Sequence, residues 1–254
     1  MQLKEKIAIV TGAASGIGEA ISKAFAREGA FVCMTDIDVE NGTRIEKWIR
    51  EQGHSAIFIE ADAANTNDTE KVFAEVKNRH GDRLDILVNN VGMAFKATIV
   101  ELTEEQWDRQ VAVNMKSVYL YSHRAIPLMI KNGGGSVINT GSVTSLVGVP
   151  DFAAYVGTKC GMLGLTRAMA LDHAKDNVRV NIVCPSGVRT ALMDWQFSIA
   201  QDPQEEIRRV VDLHPIGRMA DPEEVAELYV FLASEKGSYF TGTAFPMDGG
   251  YTAK

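Results

Sequence analysis

In the stretch 153–170, AAYVGTKCGMLGLTRAMA, a phenol and an ammonium, Tyr155 and Lys159, stand four positions apart within a helical pattern. Positions four apart share one helix face, so the two side chains project side by side. A free tyrosine has a pKa of about 10 and carries little phenolate at neutral pH. A neighbouring cation favours the phenolate, and a proton-transferring group works best when its pKa lies near the operating pH. The pair could therefore trade a proton with a substrate hydroxyl. Taken alone, it could equally be a solvated helix face.

A second constellation lies near the amino terminus, in VTGAASGIGEA. Gly12, Gly16 and Gly18 follow an apolar run directly and open a helical pattern, with Ser15 and Ile17 between them. Glycine lets the backbone turn sharply and approach a pyrophosphate, while a helix amino terminus offers unpaired N–H groups and a positive dipole end. A tight turn without a ligand is the plainer alternative. Asp36 ends the next apolar run, followed by Ile37, where a carboxylate would hydrogen-bond the adenosine ribose hydroxyls of a dinucleotide. It would repel a 2′-phosphate, and no Lys or Arg flanks it in MTDID. NAD rather than NADP is the expected cofactor. Asp36 could instead cap the following helix, a role open to Asp38 as well.

Elements that would position these groups are legible around them. Short β-branched runs (IAIV, AFVCMTD, SAIFIEAD, LDILVNN, GSVINTGS, VRVNIVCP and a last one near TAFPMD) alternate with longer amphipathic stretches. That rhythm predicts βαβ units: an α/β fold, a Rossmann-type doubly wound, mainly parallel seven-stranded sheet with helices on both faces, in a single domain over 1–254. Gly29, Gly53, Gly81 and Gly133 mark helix stops. From 191 to about 219 two short helical patterns replace the single expected crossover helix, which predicts a short substrate lid.

Bulk properties exclude several classes. The chain has 254 residues, 46% of them hydrophobic, and a net charge of -7 without any basic block, which argues against a nucleic-acid partner. No stretch has the length of a membrane span and no signal-peptide core is present. Cys33, Cys160 and Cys184 fit neither a disulfide framework nor a metal site, and His54, His80, His123, His173 and His214 lack zinc spacing. A cytoplasmic protein without a metal is expected, with His123 in the core or an interface and the other histidines mainly at the surface. Ser142, in TGSVT, lacks the second glycine of a nucleophile elbow.

With these residues in view, the chain resembles the short-chain dehydrogenase/reductase family in its compact, NAD-preferring branch, from Lys6 to Gly250. TGAASGIG is similar to the family's glycine-rich turn, and Ala61–Asp62 to the pair whose Asp meets the adenine, with Ala63 following. NNVG (Asn89, Val91 and Gly92 among its residues) resembles the motif along the adenosine ribose. AVNMKS carries the family's asparagine as Asn114. Ser142 precedes Tyr155 by the family's thirteen positions, YVGTK is its Y-x-x-x-K signature, and VCPSGVRT resembles the segment that holds the nicotinamide carboxamide through Pro185, Val188 and Thr190.

The resemblance implies a secondary alcohol–ketone oxidoreductase in which Tyr155 is the acid/base and Ser142 stabilises charge on the substrate oxygen. Lys159 would lower the Tyr155 pKa and bind the nicotinamide ribose, and Asn114 would hold a water in a proton path. Alternatives are an NADPH-dependent 3-ketoacyl reductase and a non-catalytic NAD sensor. Val91 stands where the family more often has Ala, and Ser186 where it usually has Gly. Candidate substrate contacts are Met93, Phe95, Val143, Thr144, Phe152, Ser186, Leu192, Met193 and Trp195, with Lys96 and Arg189 expected to face solvent. A homotetramer is implied, or else a homodimer, with Val118, Leu120, Leu163 and Met169 as candidate partner-facing residues.

Overall fold

The computed structural model describes residues 1–198 and 200–253, and of Leu192, Trp195 and Gln196 the backbone alone. Seven strands form one sheet: β1 (Ile7–Thr11), β2 (Phe31–Asp36), β3 (Ala56–Glu60), β4 (Ile86–Asn89), β5 (Gly135–Thr140), β6 (Val178–Pro185) and β7 (Ala244–Met247). Their spatial order is β3-β2-β1-β4-β5-β6-β7, and every neighbouring pair is parallel. The order reverses between β1 and β4, which opens a crevice at the strands' carboxyl ends.

Nine helices cover the faces: α1 (Gly16–Arg27), α2 (Val39–Glu51), α3 (Thr66–His80), α4 (Glu104–Val111), α5 (Ser117–Lys131), α6 (Ala153–His173), α7 (Ala191–Ser198), α8 (Pro203–Asp212) and α9 (Pro222–Ala233), counted among the described residues. Strand alternation divides the core. Ala8 and Val10 of β1 face Ile21, Phe25 and Tyr229 on one side, while Ile7 and Ile9 face Val72, Tyr121 and Met129 on the other. Burying each large side chain there contributes roughly 1.5–3 kcal/mol.

Residues 103–133 read in sequence as one helical pattern, but the chain interrupts it. Between α4 and α5 the chain makes a π turn, Ala112–Lys116, with Asn114 inside it. Such bulges are costly in a regular helix and occur mostly where a side chain must be re-aimed. The expected lid segment is α7 followed by α8. Outward faces of α5 and α6 differ from expectation. Val118, Leu120 and Leu163 are buried within the chain itself, and Tyr119, Ile130 and Leu171 are exposed, because side chains around a helix point in different directions.

Candidate active site

A cleft of about 730 Å³ runs along the carboxyl ends of the strands. Its β1–β2 side is lined by Gly12, Ser15, Gly16, Ile17, Asp36, Ile37, Asp62 and Ala63. Val91, Gly92 and Met93 cross its middle, and Ser142, Val143, Thr144, Phe152, Tyr155 and Lys159 form the opposite wall, with Pro185, Ser186, Val188, Thr190 and Met193 closing it. The glycine turn is shaped by close approach. A Cβ on Gly18 would stand 2.0 Å from the Gly12 carbonyl oxygen, and one on Gly16, whose φ is +53°, would stand 3.0 Å from a Thr190 methyl. Gly18 therefore lets helix and turn pack, and Gly16 lets Thr190 close over the turn. Ser15 makes no side-chain cap at the start of α1, so the cradle fits a phosphate group.

Asp36 does not cap α2. Asp38 does, accepting from Asn41 N–H at 3.0 Å, while Asp36 Oδ2 accepts from Ala14 N–H at 3.0 Å and its Oδ1 from Asp38 N–H at 3.1 Å. Those bonds aim the carboxylate at the cleft with acceptor capacity to spare. Asp62 is held by Arg109 at 3.2 Å and by Ala64 N–H at 2.9 Å.

On the far wall, one face of α6 presents Tyr155 and Lys159. The Lys159 ammonium lies 5.6 Å from the Tyr155 ring centroid and donates to the Thr140 carbonyl at 2.6 Å. Ser142 accepts from Thr144 N–H at 3.2 Å, which leaves its hydroxyl hydrogen for the phenol or a substrate oxygen. Burial lowers the Lys159 pKa to about 8. Burial also raises the Tyr155 pKa above its ordinary value, with the Ser142 hydroxyl opposing the shift. The expected lowering of the phenol by its neighbour is thus not present in the chain alone: desolvation outweighs the neighbouring ammonium and acts against the charged form of both groups.

Asn114 and Asn89 sit behind the cleft rather than in its lining. The Asn114 amide accepts from Met93 N–H at 2.9 Å and donates to the Met93 carbonyl at 2.9 Å and to Thr158 at 3.0 Å, so it fixes the 93 segment against α6. Asn89 donates to Asn139 at 2.8 Å and Ser122 at 3.2 Å, inside the protein. Its neighbour Asn90 takes the place expected of it, donating to the Thr11 and Gly12 carbonyls at 3.1 and 3.0 Å.

Phe95, Lys96 and Arg189 do not line the cleft, and the Leu192 and Trp195 side chains lie outside the described residues. His123 is exposed, stacked on Tyr119 at 5.4 Å. His214, expected at the surface, is 4% exposed and lines the cleft with Val210, Leu213 and Tyr251. The apolar residues beside it in RRVVDLH were the one sequence signal for that burial.

Residues 12–252 match a family model described as enoyl-(acyl carrier protein) reductase. The chain is 36% identical over 253 residues to a 3-oxoacyl-(acyl-carrier-protein) reductase of Thermotoga maritima, covering 98% of this chain and 99% of that one. It is 34% identical over 254 residues to the cyclohexanol dehydrogenase of Acinetobacter sp., covering 100% of this chain and 97% of that one. L-Sorbose reductase from Gluconobacter frateurii, solved with NADPH and L-sorbose, superposes with a TM-score of 0.95 at 30% identity over the whole of both chains. Matched end to end by such relatives and built on the same sheet, the chain belongs to the short-chain dehydrogenase/reductase family.

Proposed function

We propose that the protein is an NAD-dependent oxidoreductase that interconverts a secondary alcohol and its ketone. The observation that carries this reading is the Tyr155 phenol, beside Ser142 and Lys159, on the wall of the same cleft that holds the glycine cradle. Nicotinamide, when bound, supplies the hydride acceptor or donor. Gly12, Ser15, Gly16 and Ile17 would hold the pyrophosphate, Asp36 and Ile37 the adenosine ribose, Asp62 and Ala63 the adenine, and Val91 and Gly92 the adjoining ribose. Lys159, Pro185, Val188 and Thr190 would hold the nicotinamide end. As the phenolate, which the Lys159 charge and the positive ring of bound NAD⁺ would favour, Tyr155 takes the proton from the substrate hydroxyl in oxidation and returns it in reduction, while Ser142 donates to the oxygen where charge builds. Lys159 keeps positive charge near the phenol, and Asn114 positions the wall.

NAD over NADP rests on Asp36, whose carboxylate opposes a 2′-phosphate, with Ile37 in place of a cation. The Thermotoga maritima relative supports an NADPH-dependent 3-oxoacyl reductase as the second reading; Asp36 counts against it. A homotetramer is supported by outward apolar residues on the helix faces, Trp107, Tyr119 and Leu171, with Tyr239 nearer the C-terminus. Among the described residues no helix is long and apolar enough to cross a membrane, and a cytoplasmic site fits the three unpaired cysteines. The test is absorbance of reduced cofactor when the protein meets NAD⁺ or NADP⁺ and a panel of secondary alcohols. Reduction of NAD⁺ is expected. Reduction of NADP⁺ alone would favour the reductase reading, and binding without turnover a sensor.

A further inference from the structure

Ser186 and His214 form a pair that the proposed chemistry does not use. His214 Nδ1 lies 2.6 Å from the Val210 carbonyl oxygen, and its Nε2 lies 2.9 Å from Ser186 Oγ. A carbonyl only accepts, so Nδ1 carries the hydrogen, and the neutral imidazole then offers Nε2 as an acceptor. Ser186 must give its single hydroxyl hydrogen to His214. What it turns towards the cleft is therefore lone pairs.

The imidazole's place is built. A Cβ on Gly187, whose φ is +57°, would stand 2.6 Å from His214 Cε1, so only glycine admits the ring there. Tyr251 packs on the other side at 5.6 Å between ring centroids. Gly187 and Tyr251 both lie against the imidazole that orients the hydroxyl.

Ser142 follows β5 and Ser186 follows β6, adjacent parallel strands in register from Gly135↔Val178 to Thr140↔Val183. Neighbouring strands stand about 4.8 Å apart. Both residues line the cleft, Ser142 with a hydroxyl hydrogen to donate and Ser186 with lone pairs to accept. We infer that Ser186, oriented by His214, is a specificity-determining residue that selects substrates with a second hydroxyl next to the reacting carbon, a vicinal diol and the matching α-hydroxyketone. In oxidation the reacting C–H leaves as hydride to NAD⁺ and that carbon's O–H proton passes to Tyr155. The second hydroxyl is unchanged and donates to Ser186 throughout. A mono-alcohol leaves the Ser186 lone pairs unpaired, and a carboxylate in that place meets them with lone pairs of its own, both of which cost binding.

This inference rests on the proposed dehydrogenase reading, and two matched pairs separate the two: butane-2,3-diol with butan-2-ol, and cyclohexane-1,2-diol with cyclohexanol, each with NAD⁺. Wild type should prefer each diol by tenfold or more in kcat/KM, mostly through KM. Ser186→Ala and Ser186→Gly should bring both ratios within about threefold of unity, and His214→Phe should reduce them. Calorimetric binding of the diols to the NAD⁺-loaded Tyr155→Phe chain should weaken at least tenfold when Ser186→Ala is added. Turnover of all four alcohols without diol preference, or a preference that survives Ser186→Ala, overturns the inference and leaves the dehydrogenase reading standing. If wild type oxidises none of the four and no other secondary alcohol, it is that reading which fails, and the diol selection with it. Melting curves identify any variant that has not folded, and the remaining Ser186 variant then supplies the ratio.

Discussion

On the β1–β2 side of the cleft Thr11 and Asp36 are tied into the backbone, while the β5–β6 side keeps groups that burial acts against. Thr11 accepts from the Asn90 and Val91 N–H groups at 3.0 and 3.1 Å and donates to Val88, and both Asp36 oxygens accept from backbone N–H. Across the cleft, Lys159 is buried with burial acting against its charge, the Tyr155 phenol is held above its ordinary pKa, and the buried Thr144 hydroxyl finds no partner among the described residues. A binding surface gains from being preorganised, whereas reacting groups must be left with unspent capacity for substrate. The cost of the second condition falls on stability, as it does at many active sites.

The largest effect should come from the unsatisfied side. Tyr155→Phe removes the proton carrier, and general acid–base catalysis of this kind is worth about 10²–10⁴-fold. Turnover should fall by that factor while NAD⁺ affinity, set mainly on the other side, changes less than about threefold; retention of most turnover in stopped-flow or steady-state assays would break the comparison at its centre. Changing the preorganised side should do the reverse. Asp36→Ser with Ile37→Arg replaces a carboxylate by a cation where a 2′-phosphate would lie, and should move the NAD/NADP ratio of kcat/KM by about a hundredfold. An unmoved ratio would remove Asp36 from cofactor selection.

Lys159 tests whether the unsatisfied side costs stability. Its folded pKa is lowered from 10.5 to about 8, so between those values the unfolded chain binds more protons and wild-type stability rises with pH. The burial penalty is complete below about pH 8 and fades towards pH 10.5. Lys159→Met carries no such penalty. Its stability relative to wild type should be greater at pH 7 than near pH 10, by about 2 kcal/mol, despite the lost bond to Thr140. Urea unfolding at the two pH values measures the difference, and equal values would mean the ammonium is solvated.

How much of this the chain's letters disclosed follows from the same division. The seven strands, their alternation with helices and the place of Asp36 at a strand end could be read because local periodicity and turn glycines specify them, whereas Ser142, Tyr155 and Lys159 are joined into one site through the family resemblance. Asn89 and Asn90 could not be told apart in this way: neighbours on a strand face opposite sides, and which side meets the cleft depends on the registration of the whole sheet. His214 was misread as a surface residue because its partner Ser186 is 28 positions away and the space between them is opened by Gly187, a contact without a local signature. The direction of the Tyr155 shift in the chain alone was not legible for a related reason. Adjacency in a helix shows who stands beside whom, but desolvation depends on everything else packed around the pair.

The smallest effect is a pair of substitutions expected to differ in sign. Thr11→Val, on the preorganised side, strips the acceptor from two backbone N–H groups and should destabilise the fold by about 1–3 kcal/mol. Thr144→Val removes a buried hydroxyl that has no partner among the described residues, keeps nearly the same volume, and should stabilise by about 1 kcal/mol, a rise in melting temperature of about 2–4 °C for a chain of this length. If the Thr144 hydroxyl is kept for a substrate, the same variant should raise KM several-fold with the cofactor's Kd unchanged. Should both substitutions destabilise alike, Thr144 has a partner in solution, and the contrast between the two sides narrows to Tyr155 and Lys159 alone.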